Sequence, residues 1–462
     1  MNRIFVIKKY VLTALVFSAC YFSLNVQAVQ LNPDGHGEVL IYPYYTVRQG
    51  EDGSAYNTLL LLTNNTDDAK AVHLIMYEGR NGVLFADTTV FLKPRDMWTA
   101  ALSPEGDSHL LYMTKDESCL FSNRKSSVFP SWDMGLGTSP QEGYIEVFEM
   151  GTIPSTTQTY RSLLGGNCDG VRQTAEQDVV GKNTGGLIGN TTIINVQSGF
   201  SFSVPVVALD QFAKPGTALG YYGYAAGSIY PSLTLAHPIS VVPGNGEDLL
   251  LISEWENGVD AVKAVLKVDT ITNEYVLANS TISKTAWVLN TSSSLYPLAD
   301  TWSSFDIADI NFSIEPVLYD REGNSYRRWS GPIGVPPPGW GKPTAVNESN
   351  KVIEFQPSDS ALFFSTAPID NGLWRPSEFI NGFVNLEVGG EPLKNNKTKI
   401  IRADGTILEN QSVTYYGAPV MGFSAMTYTN AVIDLPGGKV GRSIYGVTQP
   451  HSYTRRTRAF LI

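Results

Sequence analysis

The chain has 462 residues and a formal net charge of −11, with 43% hydrophobic and only 17% charged residues. That acidic balance argues against nucleic acid as a partner, because phosphates are repelled where no basic stripe offsets the charge. Aromatics at 11%, with 42 glycines and 26 prolines, suit many short strands joined by turns.

The first 28 residues read as an export signal. Arg3, Lys8 and Lys9 form a cationic start, Val11 to Leu24 a mostly apolar stretch, and Val26 and Ala28 are the small residues a signal peptidase reads. Cleavage is expected before Val29. The apolar stretch would rise only about 21 Å as a helix, short of a ~30 Å hydrocarbon core, which disfavours a retained anchor. Lipidation at Cys20 is disfavoured by Phe17, a poor fit to the usual aliphatic position. Roughly 430 residues then remain, enough for two or three domains or one large one.

Strand signals begin at once. "GEVLIYPYYTV" (37–47) is β-branched and aromatic, with Pro43 marking an edge or a bend. "NTLLLLT" and "AKAVHLIMYEG" flank the polar knot "NNTDDA", whose side chains build turns. They are too short to span a bilayer and are predicted to be neighbouring strands of a β-sandwich. Alternation continues through 82–102, and "EGYIEVFEMG" (142–151) is a strand with apolar residues on both faces. Residues 103–140 are loop-rich and 152–182 polar. Segment 185–212 predicts two strands joined at Ser198-Gly199. "PGNGED" (243–248) is the best candidate boundary, and "GVDAVKAVLKV" (258–268) the best helix. Strands resume at 285–290 and 305–320, followed by a proline-rich run (330–343). "TKIIRADGTILEN" (398–410) predicts a hairpin whose Asp404-Gly405 suits a type I′ turn. The C-terminal "YTRRTRAF", with Arg455, Arg456 and Arg458, reads as a solvated tail.

With the signal removed, two cysteines remain. In an oxidising compartment Cys119 and Cys168 are expected to form one disulfide, free thiols being the alternative; neither has the Cys or His neighbours of a metal site.

Chemistry-bearing patterns are sparse. The histidines (36, 73, 109, 237 and 451) lack metal-ligand spacing, and "GFSAM" (422–426) breaks the nucleophile-elbow pattern at its last position. "GGLIGN" (185–190) and "GWGKPT" (339–344) read as turns rather than phosphate loops. The acidic loops at 50–57 and 65–69 lack the alternating register of a calcium loop. No metal and no cofactor are therefore expected. The weak candidates for a binding site are Glu146, Glu149, Trp329 and Trp340. Glu146 and Glu149 share a strand at odd separation, so they face opposite ways and cannot form a glycosidase pair by themselves. A structural Glu paired with a residue such as Arg95 is the simpler reading. Trp329 and Trp340 are candidate sugar-stacking contacts.

The order of segments "GEVLIYPYYTV", "NTLLLLTNNTDDAKAVHLIMYEG", "VFLKPRDMWTAAL", "EGYIEVFEMG", "GGLIGNTTIINVQSG" and "NEYVLANSTISKTAWVLN" resembles a group of exported β-rich proteins of Gram-negative bacteria with no assigned biochemical activity. The resemblance covers about residue 35 to beyond 290. It implies a bacterial envelope or secreted protein and a Cys119–Cys168 disulfide, and it transfers no catalytic residue.

The resulting expectation is a mainly β protein with one or two β-sandwich domains, immunoglobulin-like or jelly-roll-like, long loops and at most one or two short helices. Residues 29–245 would form an N-terminal β-sandwich region with a disulfide-stapled loop, and 246–462 a C-terminal β-rich region. The expected function is non-enzymatic binding, adhesion or scaffolding in the periplasm, at the outer surface or outside the cell. The partner would be an envelope or surface protein or a glycan, with no membrane segment after cleavage. The alternatives are a secreted hydrolase of carbohydrate or another polymer and an outer-membrane β-barrel.

Overall fold

The computed structural model describes residues 27–50, 53–121, 125–130, 139–181, 183–214, 231–244, 249–276, 283–296, 309–327, 344–355, 362–365, 379–435 and 439–460. The first half contains β1 (Val39–Thr46), β2 (Tyr56–Asn64), β3 (Ala69–Glu78), β4 (Leu84–Leu92), β5 (Met97–Glu105), β6 (His109–Met113), β7 (Ser126–Phe129) and β8 (Glu142–Ile153). Helices α1 (Gln158–Leu164) and α2 (Cys168–Asp178) follow, then β9 (Leu187–Asn195), β10 (Phe200–Val204) and β11 (Val207–Asp210).

These strands make two antiparallel sheets. Sheet I runs β11-β1-β8-β3-β4, with the short pairs Gln30–Leu31 and Cys119–Leu120 at its edges. Sheet II runs β7-β6-β5-β2-β9-β10. Every residue of β1, β3 and β8 is buried, which an antiparallel sheet with one wet face does not show. One face of sheet I meets sheet II through Leu74, Val147, Leu62 and Trp98. Its other face carries Ile75 and Phe148 against Leu163 of α1 and Val171 of α2.

The second half contains β12 (Ile239–Pro243), β13 (Leu249–Glu254), α3 (Gly258–Leu266), β14 (Thr270–Val276), β15 (Ser283–Asn290), β16 (Phe312–Asp320), β17 (Asn350–Glu354), β18 (Asn381–Gly389), β19 (Leu393–Arg402), β20 (Ile407–Tyr415), β21 (Met421–Leu435), β22 (Lys439–Pro450) and β23 (Thr457–Phe460). Sheet III, β12-β13-β19-β20-β23, joins α3 in covering the second face of sheet I. Sheet IV, centred on β16-β18-β14, packs on sheet V, β17-β15-β21-β22, around Trp287, Tyr275 and Leu386. None of the sheets closes on itself among the described residues.

The halves share cores. Tyr44 and Tyr56 of the first half and Val288 and Phe423 of the second enclose Phe363, whose ring lies 5.5 Å from Tyr44 and 5.8 Å from Tyr56. The expected division at 245/246 lies between β12 and β13, which pair with each other.

Several local expectations change. The two strands of the leucine-rich stretch, β2 and β3, are consecutive in the chain but belong to opposite sheets. The polar knot therefore carries the chain across the sandwich. Pro43 lies at a local edge: the ladder between β1 and β11 ends with Val207 opposite Ile41, and among the described residues only β8 continues alongside. It also sits at a bulge, where β1 places residues 43 and 44 opposite Tyr144 alone, so the edge and the bend that the sequence suggested coincide. The Asp404-Gly405 hairpin forms as β19 and β20, but only Gly405 takes a positive φ, 83°. Its amide donates to Arg402 O and Arg402 N donates to Thr406 O, so the loop has three residues and is not type I′.

Among the described residues three α-helices form, against one or two expected. The polar stretch 152–182 hides two of them, capped by Thr157, which accepts from Tyr160 N, and Asn167, which accepts from Gly170 N. The expected helix at 258–268 is α3, capped by Asn257. The C-terminal run is not a solvated tail, because Ser452–Thr454 pairs with β14 and β23 with β20. Among the described residues, no helix is long and apolar enough to cross a membrane.

The Cys119–Cys168 disulfide forms, tying the edge of sheet I to the start of α2. Its sequence separation is 49 residues. In the chain-entropy model a loop of that length is worth about 4 kcal/mol. Reduction with denaturation monitored in parallel should lower the unfolding free energy by about 2–4 kcal/mol, with amides of 158–178 losing exchange protection first. Unchanged stability after complete reduction would refute the stapling role.

Candidate functional site

The two glutamates singled out from the sequence lie on β8 and face opposite ways, as alternation predicts. Glu146 belongs to the face packed against the second half. A serine-rich turn, Thr291–Leu295, reaches over it, and Ser292 Oγ donates to Glu146 Oε1 at 2.5 Å. Beside it the rings of Tyr77 and Tyr144 stack at 4.8 Å. Ser293 N donates to the Tyr144 hydroxyl at 3.0 Å, and Ser293 Oγ donates to Gly82 O at 3.0 Å. Gly82, with φ 66°, is needed there, because a Cβ would meet that of Ser293 at 2.4 Å. Burial pushes the Glu146 carboxyl up to about 7, with the Ser292 and Tyr77 hydroxyls opposing the shift. Arg95 is not its partner; it pairs with Asp67 on the surface at 2.9 Å.

Glu149, on the opposite face, forms a fully buried ion pair with Lys70 of β3. Thr184 N and Gly185 N donate to its carboxylate at 3.0 and 2.9 Å. The glycine-rich "GGLIGN" thus turns a backbone amide toward an anion, but the anion is the protein's own. Burial raises the Glu149 carboxyl, and Lys70 with the two amides pulls against it. Glu38 lies close by, raised to about 7 by burial and by the charges of Glu149 and Asp210, against a bond from Ala213 N at 2.7 Å. Sequence reading missed Glu38 because its burial depends on residues some 175 positions away. Trp329 and Trp340 lie outside the described residues. His73 is buried, with Nδ1 2.8 Å from Thr89 Oγ1. No cluster of metal-ligating side chains occurs among the described residues.

Among the described residues, open space large enough for a ligand occurs elsewhere. A cleft of about 920 Å³ separates the halves, walled by Val207 from the first and Val265 and Val420 from the second, with His451, Tyr453 and Arg455 along one side. His451 is committed to the fold. Its Nε2 donates to Val288 O at 2.9 Å, and burial lowers its pKa to about 4, so it is neutral at pH 7. Arg455 donates from Nε to Lys267 O at 3.2 Å and from Nη2 to Val265 O at 2.7 Å, closing the C-terminus of α3. Its guanidinium lies 4.9 Å from the centre of the Tyr453 ring. The basic C-terminal run was the sequence signal for this residue, but its burial was not legible there.

No family model and no curated protein matches the chain.

Two outcomes follow from the buried carboxylates. Folded Glu146 keeps its proton up to about pH 7, whereas the unfolded residue loses it near 4.5, so the native state binds more protons between these values and loses stability as pH rises. His73 and His451, lowered to about 4, act in the opposite direction, so the comparison must be with Glu146→Gln. The wild type should lose about 3 kcal/mol relative to that variant between pH 4.5 and 7; parallel denaturation curves would contradict this. Lys70→Met should cost about 3–5 kcal/mol by stranding Glu149, and Lys70→Met/Glu149→Leu should recover most of it in urea titrations.

Proposed function

We propose that the chain is a non-enzymatic binding protein of the extracytoplasmic space that holds its ligand in the cleft between its two halves. The cleft carries this reading: its volume, about 920 Å³, is that of a small-molecule site, and apolar side chains from both halves wall it. The polar groups that line it beside α3 are held by the fold, His451 by Val288 and Arg455 by two carbonyls, an arrangement suited to recognition. The hydrolase alternative rested on Glu146, whose carboxyl is enclosed by Ser292 and the Tyr77–Tyr144 stack and borders no open space. Open sandwiches give no support to the barrel alternative. Export to the bacterial envelope is supported by the cationic and apolar N-terminal pattern and by a disulfide, which persists in oxidising compartments.

A contact role at the cell surface has its own support. The outer face of sheet II exposes Leu59, Met97, Met113 and Val128, and Leu59 aligns across strands with Ala101 and Met113. Apolar groups gathered on one sheet face mark contact surfaces.

The test is native mass spectrometry of the mature chain purified from the periplasm or culture medium. The expected result is a small molecule that leaves intact on unfolding and is retained less by Val207→Trp, which narrows the cleft. Chemical turnover of the bound molecule, or equal loading of the variant, would defeat the proposal.

A further inference from the structure

We infer that the cleft takes a single-chain amphiphile with one anionic head group, and that Arg455 selects the head. The inference rests on the reading of the cleft as a ligand site and adds the ligand's chemical class. Three observations carry it. The walls are aliphatic, with Val207, Val265 and Val420 facing the space. Such walls reward burial of an alkyl chain and offer a sugar few of the hydrogen bonds it would give up in water. Arg455 lines the same space and is largely buried, yet among the described residues no carboxylate lies within ion-pair distance of it. Neighbouring Arg456 does have such a partner, Asp269 at 3.0 Å.

The third observation is how Arg455 is held. Nε and Nη2 are tied to the carbonyls of Lys267 and Val265, and the guanidinium is set beside the Tyr453 ring. These contacts fix the guanidinium plane. A cation immobilised in advance loses little entropy when it receives an anion. His451 cannot supply the charge, because it is neutral and bonded to Val288. Asp34 also borders the cleft, but it is exposed at the rim. A charge there is screened by solvent far more than one beside the apolar wall.

The experiment is isothermal titration of the mature full chain with dodecanoate, dodecanol and dodecylamine, each kept below its aggregation limit. Dodecanoate should bind about tenfold tighter than dodecanol, and dodecylamine more weakly than either. Arg455→Met should abolish the preference for dodecanoate, bringing its affinity to that of dodecanol for the same variant. Arg455→Lys should keep part of it, and Val207→Trp, which narrows the cleft, should weaken all three probes. Arg455→Met also removes donors from two carbonyls at the end of α3, so its thermal unfolding is measured alongside; the lysine and tryptophan variants decide the matter if it does not fold. Equal affinities for dodecanoate and dodecanol in the wild type would overturn the anionic-head assignment and leave the cleft reading standing. Failure of all three probes to bind, or undiminished binding by Val207→Trp, would overturn both.

Discussion

Sheet I has no face in water, and most of what is distinctive in the molecule follows from that constraint. A strand buried on both sides must satisfy every polar side chain from within, because an unpaired buried carboxyl or ammonium loses far more solvation than packing returns. Strands β3 and β8 nevertheless carry Lys70, His73, Glu142, Glu146 and Glu149. Their partners come from distant parts of the chain: Ser292 for Glu146, Lys70 with Thr184 and Gly185 for Glu149, Tyr44 and Arg48 for Glu142. The polar groups of the central sheet thus specify which segments must dock on it. A hydrophobic layer alone would tolerate several registers.

The same demand joins the two halves. The serine turn at 291–295 is positioned by contacts with Tyr144, Glu146 and Gly82 of the first half, and Asn350 donates from its side chain to Pro43 O at 2.9 Å. Phe363 then fills the space between Tyr44 and Phe423. Where these contacts end, the surfaces diverge and the cleft remains. Arg455, the half-buried cation that lines it among the described residues, is held at the end of α3, so one arginine both closes a helix and faces the open space.

Local signals in the chain carried much of this. Alternation and β-branched composition marked most strands, and the burial of "EGYIEVFEMG" on both faces was already apparent in its apolar residues on each side. The opposite facing of Glu146 and Glu149 followed from strand periodicity alone. Other features were hidden for identifiable reasons. Helices α1 and α2 are polar, so their caps at Thr157 and Asn167 were the available signal and periodicity was not. The leucine strands looked adjacent because a short polar turn joins them, yet such a turn can cross between sheets as readily as it can close a hairpin. Arg455 looked like part of a solvated tail because neighbouring arginines ordinarily repel and face water.

The amino-acid order by itself therefore determined a chain of short antiparallel strands, a helix within 258–268, a turn at Gly405 and the facing of the central glutamates, since each depends on neighbours within a few residues. Only the tertiary structure decided which sheet each strand joined, what paired with Glu146 and Glu149, and that Arg455 borders a cleft. Those outcomes depend on groups 35 to 190 residues apart being brought into one low-dielectric interior, where the need to satisfy buried charge selects among arrangements that local pattern leaves equal.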